Sequence, residues 1–78
     1  MALYKNPNYF RHTDDNAFDL EHRPGAATPY SGIYQCAGCG REITSVTGHT
    51  LPPQNHHQHT YGQGAIRWRL IVADQARP

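Results

Sequence analysis

Cys36-Ala37-Gly38-Cys39-Gly40 and Asn55-His56-His57-Gln58-His59 concentrate the side chains of this chain that are able to ligate a metal. Zinc takes thiolate sulfur and neutral imidazole nitrogen in a tetrahedral set, and two residues between paired ligands let one tight corner present both. Cys36 and Cys39 have that spacing. The histidine cluster opens sixteen residues after Cys39, within the gap expected between the ligand pairs of small zinc domains. His56 and His59 repeat the cysteine spacing and are the expected second pair. His57 is the first substitute, since it would share one side of an extended segment with His59. His49, just after Gly48, is a minor alternative. The expected site is a structural Zn2+ held by Cys36, Cys39, His56 and His59.

Other chemistries fit these residues less well. A thioredoxin-like Cys-x-x-Cys opens a helix, whereas Gly40 and the run Ile43-Thr44-Ser45-Val46 favour a strand. A catalytic zinc keeps one position open and a general base beside it. Glu42 is close in sequence but falls in a strand pattern, and Asp14 and Asp15 have no spacing that ties them to the site. Arg67, Trp68 and Arg69 could stack on nucleotide bases, yet Trp68 belongs to an apolar stripe with Ile66, Leu70 and Val72 that would pack a core. The expected role is therefore non-enzymatic, a protein-interaction module whose partner is not named by the sequence. Nucleic-acid binding is the alternative, and a zinc-dependent enzyme comes after it.

Positioning these ligands requires short strands. Residues 1–29 read as an irregular arm: Asn6-Pro7-Asn8 favours a turn, and Thr13 or Asp14 could cap a helix of barely two turns through Asn16–Glu21. Ser31–Gln35 reads as a strand entering Cys36, and Arg41–Val46 as a second. Pro52-Pro53 cannot donate to a sheet ladder. Ala65–Val72 gives the third strand, with Ile66, Trp68, Leu70 and Val72 on one face and Arg67, Arg69 and Ile71 on the other, reached through a flexible Tyr61-Gly62-Gln63-Gly64 connection. Gly38 and Gly40 would relax the cysteine corner by tolerating positive φ. The expected fold is small, all-β and three-stranded, with the metal domain over residues 30–74 and a tail at 75–78.

The pattern resembles the zinc-ribbon superfamily, in which two corners on short hairpins clamp one zinc. Tyr34-Gln35-Cys36-Ala37-Gly38-Cys39-Gly40 looks like the first corner, with its preceding aromatic residue. Gly48-His49-Thr50-Leu51-Pro52-Pro53 resembles the Leu-Pro approach to the second. There Gln54 stands where a third ligand often sits, and histidines replace cysteines further on. The resemblance covers roughly residues 30–72 and extends to short uncharacterised bacterial zinc-ribbon proteins. It implies a ribbon fold, and ribbons serve transcription, translation and protein docking alike.

Composition narrows the class. In 78 residues the hydrophobic fraction is 37%, too small for a self-sufficient core, so a staple is expected. Seven basic against six acidic residues give a net charge of +1, not the strongly basic balance of a DNA-binding domain. No stretch reads as a membrane span or a signal-peptide core. The expected compartment is the cytoplasm, where closely spaced cysteines hold metal more often than a structural disulfide.

Overall fold

The computed structural model describes residues 1–53, 58–59 and 61–74. Its centre is a four-stranded antiparallel sheet. In chain order the strands are β1 (Glu21–His22), β2 (Gly32–Cys36), β3 (Glu42–Ser45) and β4 (Trp68–Ala73), and in space they run β1-β4-β2-β3. The small all-β expectation holds at that level, and the count of three strands becomes four. The added strand, β1, lies inside the stretch read from sequence as an arm. Its two residues pair as Glu21 with Arg69 and His22 with Trp68.

What anchors β1 is Arg69. Its Nε donates to the Phe18 carbonyl at 2.8 Å, and its guanidinium reaches the Asp19 carboxylate at 3.5 Å. Both partners sit in a 3-10 turn, Asn16–Asp19, where the α-helix was expected. Asp15, rather than Thr13 or Asp14, caps it, accepting from the Ala17 N–H at 2.9 Å. One short turn makes too few internal hydrogen bonds to stand alone, so Phe18 and Ala17 rest against the core instead.

The core lies on one face of the sheet. Tyr34 and Cys36 of β2 stand directly opposite Leu70 and Trp68 of β4, and with Leu51 and Ile66 they make up the buried apolar cluster. Tyr34 donates its hydroxyl to the Tyr30 carbonyl at 2.6 Å. Burial pushes the pKa of this phenol up from its ordinary value. Leu51 comes from a separate pairing, in which the Thr28 N–H bonds to the His49 carbonyl and the Leu51 N–H to the Ala26 carbonyl. Pro52 and Pro53 have no N–H to extend it, and past Leu51 it continues only through carbonyls, those of Leu51 and Pro52 accepting from the Gly25 N–H at 3.2 and 3.1 Å. The buried hydroxyls of Thr28 and Ser45 bond to one another at 2.6 Å, which joins this segment to β3.

The stripe expected along β4 holds for Ile66, Trp68 and Leu70 but not for Val72. Tyr34 pairs with Leu70 and the adjacent Ile33 with Val72, so Ile71 is an extra residue on β4, a bulge. That insertion shifts the alternation by one and brings Val72 to the face of Ile33, away from the core. Past the bulge the strands come very close at Gly32. A Cβ there would run into the Val72 carbonyl oxygen and lie 3.0 Å from the Ala73 Cα and 3.1 Å from Leu70 Cδ1. Gly32→Ala should therefore cost roughly 1–3 kcal/mol, as overpacking does. Urea unfolding checks this, and an unchanged midpoint would contradict the close approach.

Candidate metal centre

β2 delivers Cys36 at its last residue and the chain then turns back at once. The Cys36 N–H donates to the Arg41 carbonyl at 2.7 Å and the Gly40 N–H to the Cys36 carbonyl at 2.8 Å. This closed turn holds Cys39 a fixed distance beyond Cys36, which is why two intervening residues suffice. The positive φ the turn needs is supplied by Gly40, at +83°, and not by Gly38. The corner is also tied to the run into β4, since the Ala37 N–H donates to the Arg67 carbonyl at 2.8 Å.

Cys36, Cys39 and His59 meet at this corner. Their sulfur and nitrogen ligand atoms all lie within 4.8 Å of one another, and Cys36 Sγ is 3.3 Å from His59 Nε2. Tetrahedral zinc with bonds of about 2.3 Å to sulfur and about 2.0 Å to nitrogen separates those two ligands by about 3.5 Å. Two soft sulfurs and one imidazole at this separation suit a zinc-like ion in chemistry and in reach. Cys36 is only 1% exposed, Cys39 is open to solvent and His59 is half-buried, so the site straddles the rim of the core.

The imidazole is held from behind. His59 Nδ1 lies 2.7 Å from the Gly64 carbonyl oxygen. A carbonyl can only accept, so Nδ1 carries the proton and Nε2 presents its lone pair toward Cys36. The ring also sits close against Gly38. A Cβ on that residue would come within 2.8 Å of His59 Cε1 and 2.6 Å of the Gln63 carbonyl. Sequence reasoning missed both features, having credited Gly38 with backbone freedom when its contribution is empty space. The density of glycine around the two ligand segments was the only available signal.

Of the other candidates, His56 and His57 lie outside the described residues. His49 is not part of the cluster; it sits in the turn after β3, where its carbonyl accepts from Thr28. Glu42, the carboxylate considered as a base, is engaged by Gln35 Nε2 at 3.3 Å and by the Met1 ammonium. Trp68 is 0% exposed and therefore closed to base stacking. Among the described residues no helix is long and apolar enough to cross a membrane.

No protein-family model matches the chain. No solved structure matches it either. Protein L of Escherichia coli is 50% identical over 60 residues, an alignment spanning 77% of this chain and 68% of that protein. Half of the aligned positions are shared over most of both chains, and on that extent of identity this chain belongs to the family of Protein L.

Proposed function

We propose that this chain is a small zinc protein with a structural site of two cysteines and two histidines, acting as a cytoplasmic protein-interaction module rather than an enzyme. The observation that carries the proposal is the convergence of Cys36, Cys39 and His59 at the end of β2. His56 completes the set by its spacing from His59, with His57 as substitute. The architecture is that of a zinc ribbon whose first corner is Cys36–Cys39 and whose sheet gains one short strand.

A structural role is favoured over a catalytic one by what surrounds the cluster. Glu42 is engaged elsewhere, and one thiolate position lies in the core, where it would hold strands together. Protein docking is favoured by the apolar residues left outside. Leu3 is 91% and Tyr9 84% exposed, with Tyr4, Phe10, Leu20 and Tyr30 also open to solvent. Nucleic-acid binding loses its main support with Trp68 in the core.

Metal analysis of the purified protein is the direct test. One equivalent of zinc per chain is expected, falling sharply in His59→Ala and Cys39→Ser proteins. Alanine at His56 and at His57 in turn identifies the remaining ligand. Protein that emerges from zinc-supplemented expression without bound metal would overturn the proposal.

A further inference from the structure

We infer that Gly38 and Gly64 are positioning residues of the metal site, which together select Nε2 of His59 as its ligand atom and fix the plane of its ring. The inference rests on the zinc reading above and adds to it the control of the imidazole.

Three observations converge on it. The Gly64 carbonyl accepts a hydrogen bond from Nδ1–H at 2.7 Å, so Nδ1 keeps its proton and Nε2 is the nitrogen left to bind. A ligating histidine whose second nitrogen is hydrogen-bonded has its tautomer and orientation set in advance, and losing such support typically lowers metal affinity about 10–100-fold. The second observation is steric. The ring crowds the space a Cβ at Gly38 would need, and the Gln63 carbonyl crowds the same space. Any side chain at Gly38 must therefore displace the imidazole, the segment carrying it, or both. The third is conformational. Gly64 has φ +72°, in the left-handed region that residues with a Cβ rarely enter. The peptide that aims its carbonyl at His59 thus depends on glycine.

These contacts also tie His59 and the cysteine corner to one stretch of chain, the run into β4. The Gly64 carbonyl holds the ligand, and three residues later the Arg67 carbonyl holds the Ala37 N–H of the cysteine corner. The run into β4 touches the site from both sides.

The experiment compares Gly38→Ala with Gly62→Ala in the full-length protein, using Co2+ as a spectroscopic probe and chelator competition for Zn2+ affinity. Gly62 is a matched control, because a Cβ there meets nothing within 4 Å. Gly38→Ala is expected to weaken Zn2+ binding about 10–100-fold and to shift the Co2+ ligand-field bands, while Gly62→Ala leaves both near wild type. Nitrogen-15 NMR of the wild-type zinc protein should show His59 bound through Nε2 with Nδ1 protonated, a readout that does not depend on any variant folding. Coordination through Nδ1, or equal affinities and equal spectra for the two variants, would overturn the inference. Wild-type protein that takes up neither ion would overturn the zinc reading itself, an outcome distinct from both.

Discussion

Cys36→Ser protein is expected to lack stoichiometric zinc and to be largely unfolded at room temperature. A structural zinc contributes on the order of 10 kcal/mol to folding, while the whole stability of a domain is only about 5–15 kcal/mol. The apolar cluster here is Tyr34, Cys36, Leu51, Ile66, Trp68 and Leu70, with a few half-buried neighbours. So small a core leaves little margin once the metal term is gone. A serine hydroxyl stays protonated at neutral pH and replaces a thiolate poorly, since zinc binds deprotonated ligands. Because Cys36 is also buried, its loss alone cannot separate ligation from packing. Cys39→Ser makes that separation: its side chain is exposed, so it removes a proposed ligand and almost no core. Both variants should lose zinc and amide NMR dispersion, as the wild type should when treated with a strong chelator. Dispersed spectra from verified zinc-free protein would show that the sheet stands without the metal.

The parts of this site legible in the sequence are the local ones. Cys36 and Cys39 have only two residues between them, and a turn that short leaves the chain few ways to arrange them. His59 was readable for a related reason, as one member of a spaced pair near the expected gap. The strand positions around them, Gly32–Cys36 and Glu42–Ser45, follow from β-branched residues bounded by glycines and a corner. What the sequence concealed depends on distant partners. Glu21 and His22 carry no alternation, and they form a strand only because β4 offers its free edge and Arg69 grips Phe18 and Asp19. The bulge at Ile71 likewise has no local mark, because Leu70-Ile71-Val72 is apolar throughout and favours neither face. It exists because β2 and β4 must bring Gly32 against Ala73 as well as Cys36 against Trp68. Gly38 shows the same limit at the scale of one atom. The positive φ expected of it is absent, and the ring it accommodates belongs to a residue twenty-one positions away.

Trp68→Ala is expected to destabilise the protein by about 3–5 kcal/mol, the usual cost of deleting a large buried aromatic. Trp68 is fully buried, faces Cys36 across the β2–β4 ladder and pairs with His22 of β1 on its other side. Removing the indole would open a cavity directly behind the inner thiolate, so the damage should not stop at the core. Zinc affinity should fall in the same variant, because ligands mounted on a looser frame must be ordered when the ion binds. Trp68→Phe keeps much of the volume and should lose less of both. Tryptophan fluorescence is gone in these proteins, so far-ultraviolet circular dichroism during urea unfolding is the appropriate probe, alongside chelator competition. A stability loss below about 1 kcal/mol would place the indole outside the packed core. A full loss with unchanged zinc affinity would mean instead that core and metal site are held independently. The shared ladder between Cys36 and Trp68 argues for the coupled outcome: residues paired across neighbouring strands rarely contribute additively, and here one of them is a proposed ligand.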